Sequence, residues 1–427
     1  MPDPTLRSRT IERSPVHYGW VILVVGTLGL MMTTPGQTVG VSVFLDPIID
    51  ELGTTRQTVS LMYTLGTLAG ALALPFVGRS IDRRGPRLAV GWIAAGLAAA
   101  CVFMATVSTL PALALGFVLL RGLGQGALGL VSLHVINVWF VRRRGLAVGV
   151  TGVGMALATA GFPWLIETWI GAFGWRAAYA GLGALVAATI LPLGIAFYRG
   201  HPERFGALPD GRAPSSATVR TLPAEPRFSA AEARGTLTFW LLAGAVACIS
   251  ALGTGLIFHH YDLMGARGID RATATTAFAW LAWVIAMTHL GIGALSDRLD
   301  PRVPVVAGLV LQAAALLFAG HVTAATLPLY GVVIGVTQGV MGNVSGTAFA
   351  RYFGRAAIGG IKGTAQTLSV VGAAAGPVLL AWGPDLLGGY LPTLWALIPV
   401  PLALALICAI ALRPPVPRRA NGSPAAG

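Results

Sequence analysis

Apolar stretches of about 20 residues, long enough for a helix to cross a bilayer, recur through this 427-residue chain. Twelve can be read, at about 18–45, 54–78, 86–108, 111–140, 144–170, 175–198, 236–264, 272–295, 302–321, 324–350, 357–383 and 390–412. Several exceed the minimum and have room to tilt or protrude. Only 11% of residues are charged, against roughly 25% in soluble domains, and mean hydropathy is +0.74. The 56 glycines suit helices packed backbone to backbone in lipid. Alternating lipid-facing strands are not apparent, which argues against a β-barrel. The expected fold is an all-α membrane protein of twelve transmembrane helices.

A net charge of +13 would suit a nucleic-acid partner, but the distribution of charge points elsewhere. All but five of the 29 basic residues fall in the tails and alternate loops on one side of the proposed membrane. Arg56, Arg176, Arg267 and Arg271 fall on the other side, and Arg121 lies within a span. This positive-inside pattern places both termini and the central loop in the cytoplasm of an inner-membrane protein. The first apolar run lacks a small-residue cleavage site and reads as a retained helix. Cys101, Cys248 and Cys408 lie singly in apolar spans and read as packing residues. No metal or cofactor site is visible, nor a nucleophile–base set; the chain does not read as an enzyme.

The chain is written twice. "GRSIDRRGPR" at 78–87 returns as "GALSDRLDPR" at 293–302. Gln125 in "GLGQGAL" matches Gln338 in "GVTQGVM", and Pro163 in "AGFPWL" matches Pro377 in "AGPVLL". "GVSVFLDPIIDELG" likewise meets "GLIFHHYDLMGARG". Ordered matches at nearly constant offset mark an internal repeat. Between the copies, a Pro-, Gly-, Ser- and Arg-rich segment reads as a linker. The expected division is a six-helix bundle over 1–198, a cytoplasmic linker over 199–235, a second bundle over 236–412 and a tail over 413–427.

On these residues the chain resembles the major facilitator superfamily over essentially its whole length. Gly-x-x-x-Asp-Arg-x-Gly joins helices two and three there, with a degenerate copy between helices eight and nine. The first copy fits; the second has Asp300 where Gly85 stands. The resemblance implies two bundles related by a pseudo-twofold along the membrane normal, enclosing a site near the midplane. It also implies a cytoplasmic gate made of Gly78, Asp82, Arg83 and Arg87 with Gly293, Asp297 and Arg298. Asp82 beside three arginines can form ion pairs and meet a helix terminus.

Polar groups inside the membrane are costly and mark the pathway. Arg121 needs an anion, carbonyls or water; the resemblance matches it to a helix-four arginine linked in several members to proton coupling. Gln125 lies at i+4 from it and can bond cargo or a neighbouring helix. His134, His259, His260 and His289 are candidates for proton coupling, since imidazole titrates near neutrality; packing is the alternative for each. In helix one, Pro35-Gly36 breaks or bends the helix and leaves carbonyls for a cavity or neighbours to satisfy. Gln37 and Thr38 beside it, and Asn343 and Ser345 in helix ten, are pore-lining candidates.

A narrower resemblance, to the monocarboxylate transporter branch with its oxalate/formate exchangers, rests on "HYGWVILVVGTLGL", "WFVRRRGLAVGVTGVGMA" and "DRRGPR". His259 precedes Gly268-Ile269 by nine residues, as a helix-seven histidine often does in bacterial members. Where the branch has an anion-binding arginine four residues before the motif glycine, this chain has His289; its acidic partner is replaced by Ile285. The helix-eleven lysine of oxalate exchangers is missing from "TLSVVGAAAGP". The expectation is therefore a monomeric, proton-coupled carrier of a small organic anion, most simply a monocarboxylate. His289 binds the anion, with Arg121 or His259 assisting. Exchange of the oxalate/formate type and proton-driven efflux are the alternatives, the latter weakened because Asp46, Glu167 and Asp385 sit near outer helix ends. A membrane receptor would carry a signalling domain, for which the termini are short.

Overall fold

The computed structural model describes residues 8–12, 14–140, 144–208, 228–296, 299–354 and 358–415. Every regular element among them is helical. The long helices are α1 (Tyr18–Leu52), α2 (Arg56–Arg84), α3 (Pro86–Ala105), α4 (Leu110–Trp139), α5 (144–173), α6 (175–197), α7 (Leu237–Phe258, continued by His260–Gly265), α8 (Arg271–Ser296), α9 (Arg302–His321), α10 (Leu327–Phe353), α11 (Ile358–Leu387) and α12 (Tyr390–Ala411). Nine stretches among the described residues are long and apolar enough to span a membrane by composition alone. One of these, Gly149–Phe197, holds both α5 and α6. They part at Gly174, whose φ of +80° is open to a residue without Cβ. With α8 and α10 the helices are consistent with twelve passes.

Two sequence signals set the local geometry. Pro35 has no N–H, and α1 gives way there to a tight turn over Thr34–Gly36 before resuming at Thr38. Over Leu120–Leu128, α4 widens into a π-helical stretch, a device frequent at functional sites. The two irregularities face each other. A Cβ on Gly36 would lie 2.1 Å from the Leu120 carbonyl and 3.0 Å from Gly124 Cα.

Small residues let the helices close on one another, because lipid supplies no hydrophobic drive between them. Gly66 and Gly70 of α2 lie on the α4 backbone near Phe117 and Gly122. Gly331, Gly335 and Gly339 of α10 meet α8 between Ala277 and Thr288 in the same way. Gly372 and Gly376 of α11 rest against Ala247 and Ala251 of α7.

The start of α1, the end of α12, the α2–α3 turn and the residues after α6 lie at one end, here the terminal end; the α1–α2 and α7–α8 turns lie at the other, the distal end. The halves meet through α2 against α11 and α5 against α8. One buried apolar cluster fills the first half and continues into the distal parts of α7, α8, α9 and α10. A second cluster lies in the terminal part of the second half, around Phe239, Phe349 and Phe353.

Candidate substrate and gating sites

Arg121 sits on the π-helical stretch of α4 and is 4% exposed. Its Nη1 donates to the Gly36 carbonyl at 2.8 Å, and its Nε donates to Thr67 Oγ1 at 2.9 Å. The broken first helix thus finds, for one of its carbonyls, a donor on α4. The guanidinium lies over the Tyr63 ring, 4.7 Å from its centroid, a cation–π geometry. Tyr63 and Thr38 share a hydroxyl hydrogen bond of 2.7 Å. No carboxylate lies within 4.0 Å of Arg121 among the described residues.

Tyr63 carries the site to the other half. Its ring meets Phe258 of α7 at 4.5 Å, and Phe258 meets His259 at 5.1 Å. One residue along α2, Thr64 donates to the Ala374 carbonyl of α11 at 2.5 Å. His259 is fully buried; a carbonyl only accepts, so its Nε2–H donates to Pro377 O, at 2.7 Å. That leaves His259 Nδ1 buried without a partner among the described residues.

The remaining residues singled out in the sequence are distributed unevenly. Gln37 donates to Thr33 at 3.0 Å and is half-buried, while Gln125 is exposed one turn beyond Arg121. His134 is half-buried thirteen residues along α4, about 20 Å from Arg121 by helical rise. His260 packs inside the second half between Phe278 and Tyr330 and donates to the Ala274 carbonyl at 2.9 Å. Gly78 is half-buried on α2; Arg83 and Arg87 are exposed at the terminal end. The side chains of Asp82, His289, Asn343 and Ser345, and Gly293 on α8, lie outside the described residues except as helical backbone. Asp297 and Arg298 lie outside them altogether.

Sequence reading left out a second constellation. At the distal end, Arg56 Nη2 lies 2.6 Å from Asp46 Oδ1 and 3.1 Å from Asp262 Oδ1 of the other half. Arg271 grips Glu167 with Nε at 2.9 Å and Nη2 at 3.1 Å, and its Nη1 bonds Asp46. The same Nη2 reaches the Val43 carbonyl at 2.9 Å. Tyr390 donates to Asp262, and Gln57 to Asp385. These contacts tie α1, α2 and α5 to α7, α8 and α11, with Tyr390 of α12 bracing Asp262, so the distal end is shut. The usable signal was the repeat itself: Arg56 and Arg271 stand 215 residues apart, at matched places in the two copies.

Comparison with known proteins agrees with this architecture. The family model described as Major Facilitator Superfamily matches residues 20–265 and 240–427. An oxalate:formate antiporter of Oxalobacter formigenes is 29% identical over 223 residues, 52% of this chain and 50% of that protein. A protein of Escherichia coli K12 described as a probable L-galactonate transporter is 28% identical over 142 residues, 32% of this chain and 30% of that one. The chain thus spans half or less of the length of these curated relatives. Among solved structures, a bacterial homolog of the human lysosomal transporter Spinster, inward-facing and unoccupied, superposes with a TM-score of 0.66 at 18% identity. That match covers 92% of this chain and 95% of the other.

Proposed function

Because the chain belongs to the Major Facilitator Superfamily, a family of multi-pass membrane transporters and not enzymes, we propose that it carries a small organic anion by alternating access, with Arg121 as the receiving cation. The observation that carries this reading is the burial of that guanidinium among neutral groups. Taking a cation out of water is costly unless an opposite charge joins it. Gly36 O and Thr67 Oγ1 orient the fork, and Tyr63 walls one face. Nη2 is left without a partner among the described residues, at a point where a carboxylate would complete the charge balance. One fixed cation matches one carboxylate, which favours a monocarboxylate over a dicarboxylate.

Proton coupling is the second part of the proposal. His289 replaces the branch's arginine on α8, and His259 presents a buried lone pair near Tyr63 through Phe258. A proton on either imidazole favours the anion, and the anion favours the proton, by reciprocal linkage. With the basic residues inside, the carrier lies in the inner membrane with both termini cytoplasmic, and the shut distal end faces outward. A second reading, anion exchange without protons, is favoured by the similarity to the oxalate:formate antiporter.

Uptake of labelled lactate, formate and oxalate into proteoliposomes holding the full chain tests both readings. Arg121→Gln should lower anion uptake by about a hundredfold while elution volume and helical content stay unchanged. Wild-type uptake in that variant would end the assignment of Arg121. An inward proton gradient should accelerate uptake, and His289→Ala should remove the acceleration. Rapid counterflow indifferent to the gradient would instead select exchange.

A further inference from the structure

At the terminal end of the first half, away from Arg121, a cavity of about 550 Å³ is lined by Arg83, Arg84 and Arg87 of the α2–α3 turn and by Arg199 and Arg204 after α6. The two chain segments are more than a hundred residues apart, and among the described residues that line the space between them the charged side chains are all arginines. Arg199 is 8% exposed and held rigidly by neutral acceptors: Ser8 Oγ at 3.2 Å, Thr10 Oγ1 at 3.0 Å and the Tyr198 carbonyl at 2.8 Å. Burial lowers its pKa, and the facing charge of Arg87 lowers it further, against the opposing pull of Tyr18. No carboxylate lies within 4.0 Å of Arg83, Arg84, Arg87 or Arg199 among the described residues.

Topology asks for positive charge on this side, but it does not ask for a hollow lined by arginines. The start of α3 opens at the same place. Gly85, with φ +81°, precedes Pro86 at the first helical turn, and no side chain caps the free N–H groups. A 20-residue helix therefore presents the positive end of its dipole to the cavity.

A second hollow of about 310 Å³ adjoins the first and shares Arg83 and Arg84, with Phe76 and Ser80 as its other walls. Phe76 is 67% exposed and Leu72, one turn earlier, 75%. Leu72, Phe76 and Ser80 follow i, i+4, i+8 spacing, so one face of α2 runs from solvent-exposed apolar side chains up to the arginines. A charged recess at the head of an apolar groove matches a molecule with a phosphate at one end and an acyl chain at the other.

We infer that this recess binds the phosphate of an anionic phospholipid, with an acyl chain lying along Leu72 and Phe76 of α2. Planar guanidinium forks suit phosphate oxygens, and the anionic lipids of a cytoplasmic leaflet would be concentrated at this depth. The site is separate from the anion path at Arg121 and does not depend on what that path carries.

The test uses the full chain in neutral detergent, titrated with dioctanoyl phosphatidylglycerol, dioctanoyl phosphatidylcholine or inorganic phosphate. Bound lipid is counted by native mass spectrometry, and Tm is followed in parallel. Phosphatidylglycerol should bind saturably and raise Tm, while phosphatidylcholine should not. Arg84→Gln with Arg204→Gln should weaken phosphatidylglycerol binding about tenfold, and Phe76→Ser should weaken it without affecting inorganic phosphate. Equal binding of the two lipids, or binding unchanged in the arginine variant, would overturn the site. Saturable phosphate binding with no gain from the acyl chain would overturn the lipid assignment. The three altered side chains are exposed, so folding is expected to survive; unshifted Tm of the lipid-free variants checks this.

Discussion

Arg56 and Arg271 occupy matched places in the two halves of the repeat, and both close on the same carboxylate, Asp46. Asp262, one position past the residue that matches Asp46 in the aligned copies, receives the second contact of Arg56. The distal clasp is therefore built from duplicated parts used asymmetrically. Asp46 is shared by arginines of both halves, and Glu167 adds a bidentate grip on Arg271. Parting the halves at the distal end, as the proposed transport cycle requires, would break Arg56–Asp262, Arg271–Asp46 and Arg271–Glu167 together.

Asp46→Asn should consequently loosen the distal end more than loss of a single ion pair would, because it removes a counter-charge shared by two arginines. The pairs are partly buried, with side-chain exposures of 20–34%, so the loss should be of order 1–3 kcal/mol. Cysteines placed at Thr54 and Ala266, in the α1–α2 and α7–α8 turns, should react faster with a membrane-impermeant maleimide in this variant. An unchanged rate would show that the clasp does not hold the closed state. A double-mutant cycle between Glu167 and Arg271 should give a coupling of about 0.5–3 kcal/mol.

Tyr63 is expected to act through its ring. Tyr63→Phe removes the hydroxyl bond to Thr38 but keeps both the face under Arg121 and the contact with Phe258. Tyr63→Leu removes the cation–π contact, worth about 0.5–2 kcal/mol. The expected order of apparent affinity for the transported anion is wild type close to Phe, with Leu weaker by about two- to thirtyfold. Counterflow KM across the three proteins checks it, and equal KM values would exclude a role for the ring.

Helix contacts make a prediction about folding alone. A Cβ on Gly376 would fall 1.9 Å from the Ala251 carbonyl, whereas one on Gly244 of α7 would meet nothing within 4 Å. Backbone cannot yield as a flexible side chain can, so Gly376→Ala should destabilise by about 1–3 kcal/mol. Gly244→Ala should be neutral or stabilising by up to about 1 kcal/mol, from helix propensity. Thermal unfolding of both in detergent reads the difference, and similar Tm values would mean that α7 and α11 can part without penalty.

How far the sequence carries follows from these residues. Pro35-Gly36 announced the break in α1, since a missing N–H is a local property. The repeat announced two bundles, and Arg121 stood out as the basic residue within a span. The neutral cradle of Arg121 was not legible, because Tyr63, Thr67 and the Gly36 carbonyl meet it only once α1, α2 and α4 pack. The π-helical stretch carries no proline or other local mark. The clasp was half legible: Asp46 and Asp262 stand in the matched segments, but which arginine crosses to which carboxylate is decided by packing between the halves. His260 and His259 are adjacent in sequence, yet one is locked in the second half and the other lies against Phe258, which touches Tyr63 of the first.

The departure of the second motif copy gives a pH-dependent prediction. Gly85 makes the α2–α3 turn with a positive φ; Asp300, at the matched place, makes the α8–α9 turn with its side chain. Its Oδ1 accepts the Arg302 N–H at 2.9 Å and the Tyr352 hydroxyl at 3.0 Å. These bonds, the Arg302 N–H foremost, hold the carboxyl below its ordinary pKa. A carboxyl depressed on folding adds stability that is fully present above its unfolded value, about 3.9, and fades as pH falls through the lower folded value. Wild type and Asp300→Asn should therefore differ in Tm at pH 7, and the gap should narrow as pH falls below about 4. Asp300→Ala should lose the turn bonds and sit lowest at neutral pH. A gap between wild type and Asp300→Asn that is constant from pH 7 to pH 3 would mean that the ionised form adds nothing to the turn.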